Sequence, residues 1–341
     1  MRSDGEQLAA VILAAGEGKR MKSSLVKVLH PLAGQVMIRY VVDAVRATGA
    51  GSIVCVVGHQ NDRVKDALDG DDLMWAFQEE PLGTGHALLS AAPALEDFVG
   101  DVLVCCGDTP LLTTETLRAV VETHREEPTL ATLLAAVVED ATGYGRVVTD
   151  GEDRVQRIVE ELDADSQTRS IRRINSGVYC FRWPEVRERL ERLAPDNVQG
   201  ERYLTDVMEI LASEGAPGRV CDLADPIEVL GINDRVQLAH AEDVLRGRVR
   251  QRLMLDGVTF LAPETTLVDE AVAIGRDTVI YPAVVIEGGS SIGRECVIGP
   301  FCRIVDAHIG RGVELKGWNH VVRTTVPNGS ILEPYVQQGH D

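Results

Sequence analysis

The sequence predicts an α/β protein with a mostly parallel sheet, followed by a short parallel β-helix, and three observations carry that prediction. Over the first part of the 341 residues, near-continuous apolar strands alternate with helical patterns. Beyond residue 260, β-branched apolar residues return at every sixth position. No run approaches the ~20 apolar residues that a membrane helix needs. The length itself suggests two domains.

The elements follow in order. Residues 8–15 are apolar but short, and Asp4 and Glu6 precede them rather than basic residues, so they read as a buried strand and not as a leader segment. Residues 11–14, 53–57, 73–77 and 102–106 are apolar runs, and 37–47, 63–68 and 87–94 carry helical spacing between them. Such alternation implies parallel strands joined by helical crossovers, hence a sheet covered on both faces. From residue 130 to 182 the strands turn more amphipathic, as in 145–148 and 175–181. Helices are predicted at 184–193, where Pro184 suits a first turn, at 203–211, and in the charged stretch 237–252.

A different period then takes over: Val268, Ile274, Ile280, Ile286, Ile292, Ile298 and Ile304. A spacing of six matches neither the 3.6 of a helix nor the 2 of a strand, and fits short strands with corners between them, stacked as a solenoid. The phase slips at Ile309 and resumes weakly through Leu315 and Val321, which predicts about three turns of three repeats each. So short a solenoid buries little alone, and its apolar faces predict self-association as a closed symmetric ring. The expected domains are 1–240 and 259–341, with a linker helix over 241–258.

Charge narrows the partners. Against 34 Lys and Arg stand 53 Asp and Glu, a net charge of −19. That surface repels nucleic acid and anionic lipid, so neither is an expected partner. Basic residues nevertheless gather at Lys19, Arg20, Lys22 and Lys27, as an anionic ligand requires. The seven cysteines have neither zinc nor disulfide spacing, which points to a reducing cytoplasm.

Three segments carry chemistry. Leu13-Ala14-Ala15-Gly16-Glu17-Gly18-Lys19-Arg20-Met21 is a glycine bend after the first strand, able to bring backbone N–H groups to phosphate or a base edge. Met21 stands where the dinucleotide fingerprint needs glycine, and the bend lacks the Gly-Lys-Ser/Thr of a P-loop. The run 102–106 ends in Gly107-Asp108-Thr109-Pro110. A carboxylate just past a parallel strand points into the crevice where such sheets bind ligands, and Asp108 suits Mg²⁺. The helix after it has better N-caps in Thr113 or Thr114. Between these lies Gln78-Glu79-Glu80-Pro81-Leu82-Gly83-Thr84-Gly85-His86-Ala87, whose glutamine could pair both its donor and its acceptor with a pyrimidine edge. The histidines, including His30, His59 and His86, lack metal-ligand spacing and read as structural or solvent-facing.

These segments, with Lys27-Val28-Leu29-His30, Gly143-Tyr144-Gly145-Arg146-Val147, Asn175-Ser176-Gly177, Tyr203-Leu204-Thr205-Asp206 and Gly231-Ile232-Asn233-Asp234-Arg235, resemble the sugar-nucleotide pyrophosphorylase family in order. Within it the likeness is to the N-acetylglucosamine-1-phosphate uridyltransferase part of the bifunctional bacterial enzymes, and it covers the first ~240 residues. Lys19 and Val26 stand where that family usually has Thr and Pro, and Leu162 replaces a common Lys.

The resemblance implies a Rossmann-like nucleotidyltransferase domain, a left-handed β-helix and a homotrimer, with UTP, a sugar 1-phosphate and Mg²⁺ as ligands. Leu13, Ala14, Ala15, Gly16, Gln78, Gly83 and Thr84 would hold the uridine. Arg20 and Lys27 would neutralise the triphosphate, and Asp108 and Asn233 would share the metal. Gly145, Glu160, Asn175 and Thr205 would hold the amino sugar, although Glu160 could also be one carboxylate among Glu161 and Asp163. The same likeness leaves the acetyltransferase centre of the bifunctional enzymes without counterparts here, His320 included, so no acetyl transfer is expected. Another sugar 1-phosphate, a thymidine nucleotide, or a silent nucleotide-binding subunit are the competing expectations.

Overall fold

The computed structural model describes residues 7–16, 18–59, 61–68 and 72–339. Asp4, Glu6 and Glu17 lie outside the described residues. The chain divides into two compact units, one of Met1–His30 and Val36–Gln237, the other of Pro31–Gln35 and Leu238–Asp341.

The first unit is built on a nine-stranded mixed sheet. Its strands are β1 (Leu8–Ala14), β2 (Ser52–Val57), β3 (Met74–Phe77), β4 (Gly100–Cys106), β5 (Ala131–Val137), β6 (Arg146–Thr149), β7 (Arg154–Val159), β8 (Arg173–Trp183) and β9 (Gly218–Asp222). They lie in the order β3-β2-β1-β4-β8-β5-β9-β7-β6. The half that carries the predicted crevice, β3-β2-β1-β4, is wholly parallel. β8 runs antiparallel to both β4 and β5, and turns the sheet into a mixed one.

β1 shows why the sheet must be covered twice. Ala9 and Val11 point into one apolar layer, with the helices α3 (Thr84–Ser90), α6 (Glu185–Leu190) and α7 (Asp206–Ser213). Ala10 and Ile12 point into the other, with α1 (Met37–Ala47) and α4 (Thr114–Glu126). A strand buried on both faces cannot alternate, so the apolar runs read correctly as central strands. β5 departs from the expected amphipathic character of this region: six of its seven residues are buried, because β8 and β9 flank it and both layers cover it. The cap expected for α4 is Thr113, whose hydroxyl accepts from Thr116 N at 3.2 Å.

The second unit is a left-handed parallel β-helix. Its short strands form three parallel sheets of five, five and four strands, which makes four complete coils and two sides of a fifth. The sequence expectation of about three turns was too low. The coil shortens by one residue where Ile292 pairs with Ile309, and Ile304 pairs with Val321, Leu315 with Leu332. A strict period of six loses these later coils, although the stacking continues through them. Corners are held by residues in the left-handed region, among them Asp277, Ala283, Glu295, Phe301, Trp318 and Tyr335. Inside, Val268, Ile280, Ile286, Ile298, Ile304, Leu315 and Val321 form one dry column, closed by Val249 and Leu253 of α8 (Arg235–Leu255). No helix among the described residues is long and apolar enough to cross a membrane.

Candidate active site

β1 lies between β2 and β4, so the chain leaves it to one side and later returns on the other. This is the switch point of an open parallel sheet, and the crevice beyond its strand ends is where ligands bind. A cleft of about 550 Å³ opens there. It is lined by Leu13, Ala14, Ala15 and Gly16 from the bend, Lys19, Arg20 and Lys27 beyond it, Gln78, Gly83 and Thr84 past β3, Asp108 past β4, and Asn233.

The bend is tight because two stretches of it pass close together. Gly18 has φ 64°, and a Cβ there would lie 2.6 Å from Lys27 Cβ, so only glycine lets the loop pass the lysine. Val26, in the usual place of proline, has φ −55°, the value that a proline ring imposes. The Lys27 ammonium is thereby delivered to the crevice. It donates to Asp108 Oδ2 and, at 3.2 Å, to Asn233 Oδ1, with the Lys27 and Asp108 side chains only 11% and 21% exposed.

Backbone bonds fix the two acceptors. Ile232 N donates to Asp108 O at 2.9 Å, which ties the segment 231–233 to the end of β4. Asn233 N donates to Gln237 Oε1 at 2.7 Å and Asn233 Nδ2 to Gly231 O at 3.3 Å, so Oδ1 is the atom turned to Lys27. Arg20, in contrast, is exposed in the cleft and bonds to nothing among the described residues.

The far side of the cleft is pinned from a distant segment. Gly83 has φ 104°, and a Cβ there would strike Arg202 O at 2.6 Å. Arg202 N donates to Leu82 O and Gly85 N to Arg202 O, each at 2.8 Å. Leu204 N donates to Thr84 Oγ1 at 3.0 Å, so that hydroxyl oxygen is committed to the scaffold. Gln78 differs from expectation in one respect. Its Nε2 donates to Gly83 O at 3.1 Å and sits 3.1 Å from His86 Nδ1, so the donor half of the amide is engaged within the protein. His86 is half-buried, with Nδ1 turned to this amide.

The four expected sugar residues form a separate cluster that does not line the 550 Å³ cleft. Asn175 N donates to Gly145 O at 2.8 Å, and a Cβ on Gly145 would lie 3.3 Å from Glu160 Oε1. Asn175 Oδ1 accepts from Gly177 N at 3.0 Å and from Tyr179 Oη at 2.9 Å, at the irregularity where β8 breaks register with β5. Gly177 is in turn reached by the thiol of Cys106, the residue at the end of β4. Thus the cluster adjoins the cleft through Cys106.

Electrostatics separates the three neighbouring acids. Glu161 accepts from the buried Arg146 at 2.7 Å, which holds its carboxyl below the usual range. Asp163 accepts from Val198 N at 3.0 Å. Glu160 makes no ion pair among the described residues: burial pushes its carboxyl up, an effect the Thr205 hydroxyl beside it partly offsets. Sequence reasoning could not make this choice, since the three carboxylates look alike along the chain. It also passed over Cys106, Glu201, Pro81 and Ala87, which line the cleft, and Tyr203, whose phenol is buried without a partner and pushed up to about 12 by burial and Asp163. No local pattern marks these residues.

Among the described residues no group of three His, Cys, Asp or Glu converges to hold a metal, and all seven cysteines are free. Asp108 and Asn233 bring two oxygen donors together in the cleft, both on the Lys27 ammonium.

The comparisons agree with this architecture. The MobA-like NTP transferase domain family matches residues 10–203, and the bacterial transferase hexapeptide family, six repeats, matches residues 271–305. Similar proteins include the bifunctional protein GlmU of Geotalea uraniireducens, 46% identical over 96% of this chain and 72% of that protein. That of Acetivibrio thermocellus is 46% identical over 98% of this chain and 72% of its own length. A Geobacillus homologue, strain WCH70, is 47% identical over 90% and 67%.

Proposed function

The chain belongs to the GlmU family, through an NTP transferase domain and hexapeptide repeats, and from that premise we propose that it is a uridyltransferase forming UDP-N-acetylglucosamine and pyrophosphate from UTP and N-acetylglucosamine 1-phosphate. One observation carries the reading. Asp108 and Asn233, far apart in sequence, turn their oxygens on a single cationic atom, Lys27 Nζ, inside the crevice at the switch point. Two hard oxygens converging on one cation fit Mg²⁺, and Asp108 and Asn233 are the side chains that would hold it. Bound there, Mg²⁺ supplies neutralisation of the triphosphate charge.

The residues of the chain do the rest. Leu13, Ala14, Ala15 and Gly16 pass the nucleoside close to backbone, while Gln78, Gly83 and Thr84 border its base. Arg20, free in the cleft, meets the phosphates as they enter. Lys27 turns from Asp108 to the triphosphate and stabilises charge on the departing pyrophosphate. Gly145, Glu160, Asn175 and Thr205 hold the amino sugar, with Glu160 accepting from its hydroxyls and Asn175 Nδ2 donating to it. The attacking phosphate oxygen of the sugar 1-phosphate is already ionised at neutral pH, so no general base is needed. A bond forms from that oxygen to the α-phosphorus as the bond to the β-phosphate's bridging oxygen breaks. The Cys106 thiol, pushed up to about 12 by burial and by the nearby Asp108, stays neutral and adds no anion to this crowded site.

The transferase is assigned to residues 1–240, the linker helix to 241–258 and the solenoid to 259–341. Self-association through the solenoid, as a homotrimer, belongs to the same reading. It is supported by Phe301, Trp318 and Tyr335, 56, 47 and 71% exposed and stacked at 5.2 and 5.5 Å along one corner. A monomeric mass by light scattering would remove that part. No acetyl transfer is assigned, and incubation with acetyl-CoA and glucosamine 1-phosphate checks it. The activity itself is tested by pyrophosphate release from UTP with Mg²⁺ across a panel of sugar 1-phosphates. Turnover is expected on N-acetylglucosamine 1-phosphate; UTP binding without turnover on any sugar would mean a silent binding subunit.

A further inference from the structure

Gln78 lies at the end of β3, and Asp108 follows β4, three strand spacings away in the order β3-β2-β1-β4. That is about 14 Å at the usual interstrand distance, so the cleft has a phosphate end and an end remote from it. Gln78 is at the remote end and only 6% exposed, which makes the orientation of its amide a matter of its protein partners.

Gly83 O is a carbonyl and can only accept, so the amide atom 3.1 Å from it is the nitrogen. The second amide hydrogen is directed at His86 Nδ1, also at 3.1 Å. For that ring atom to accept, His86 carries its proton on Nε2. Both donors of Gln78 are then engaged, and Oε1 is the one hydrogen-bonding atom of the side chain left to the cleft it lines.

We propose that His86 is a positioning residue for base selection: together with the Gly83 carbonyl, it holds Gln78 with only an acceptor facing the cleft. This rests on the uridine reading above and deepens it. Uracil presents a ring N3–H to such an acceptor. Cytosine in the same place turns the lone pair of its N3 against Oε1, leaving two acceptors face to face, and a buried mismatch of this kind is costly. The site thus reads uracil through one hydrogen bond of fixed polarity, not through a donor and acceptor pair. Thymine keeps the same N–H and is not rejected by this device.

The experiment compares the full chain with His86→Leu, with His86→Phe as a second variant lacking the acceptor, and with His86→Asn, whose side-chain oxygen can accept near the position of Nδ1. Pyrophosphate release is measured with UTP and with CTP, on N-acetylglucosamine 1-phosphate and Mg²⁺, and unfolding midpoints are recorded for each variant. The wild type is expected to favour UTP. His86→Leu and His86→Phe are expected to lower the UTP/CTP ratio of kcat/KM about tenfold, the worth of one well-placed hydrogen bond, mainly by raising KM for UTP. His86→Asn is expected to restore most of the ratio. On a UTP-preferring wild type, an unchanged ratio in both His86→Leu and His86→Phe overturns the proposal alone, as does an equal loss on both nucleotides through kcat. A wild type that prefers CTP or a purine nucleotide sinks the uridine reading, and the proposal with it.

Discussion

Replacing Lys27 by methionine tests the site where its charges are most concentrated. The substitution keeps an unbranched side chain as far as Cε and removes the ammonium shared by Asp108 and Asn233. At about 3 Å and an effective dielectric of ~20, a unit ion pair attracts by about 5 kcal/mol before desolvation is counted. Breaking a fully buried pair costs ~3–5 kcal/mol, and exposed pairs are worth ~0–1. With Lys27 at 11% and Asp108 at 21% exposure, the pair falls between these limits, at about 2 kcal/mol. For a unit of this size that lowers the unfolding midpoint by about 4–8 °C.

Magnesium should then behave differently in the two proteins. In the variant the two oxygens face the cleft without a cation, so 10 mM MgCl2 with a dissociation constant of about 1 mM returns ~1.4 kcal/mol. In the wild type the ammonium competes for the same oxygens, and the gain is smaller. Thermal unfolding of both proteins, with and without MgCl2, reads this directly. A variant as stable as the wild type, or equal stabilisation of both by the metal, would refute the shared cation position.

Asp108→Asn keeps the shape of the side chain and removes the charge, so kcat should fall at least about a hundredfold with the fold intact by circular dichroism. Gly83→Ala places a Cβ against the Arg202 carbonyl at a backbone φ of 104°, so KM for the nucleotide should rise about tenfold or more with a lower unfolding midpoint; unchanged kinetics would mean the loop is free to move. Burial, with Glu209 and Asp163 nearby, pushes Asp206 up to about 6, so its ionisation opposes folding from about pH 4 upward and in full above pH 6–7. Since the side chain is only partly buried, Asp206→Asn should add about 1 kcal/mol at pH 7.5 and nothing near pH 4, read by urea unfolding at the two pH values.

The sequence by itself determined the two architectures and most of the positions that face the cleft. Residues 11–14, 53–57 and 102–106 fall inside β1, β2 and β4, and 37–47 is α1, because a strand buried on both faces leaves a short continuous apolar run and a helix with one apolar stripe leaves a 3.6-residue period. The glycine bend and Asp108 were legible for a related reason: each sits just past an apolar run, and strand ends in a parallel sheet converge on one crevice. What only the tertiary structure decided is the choice among like groups. Glu160 stands out from Glu161 because Arg146 takes the latter. The amide nitrogen of Gln78 is turned to Gly83 O and His86 Nδ1, each 3.1 Å away, and not left free. The solenoid outruns its six-residue signature because stacking tolerates a shortened corner that periodicity does not. A period reports the burial of one segment against an average core. The partner of a given polar atom depends instead on which distant segments are brought within about 3 Å, and that is fixed only when the chain has crossed itself.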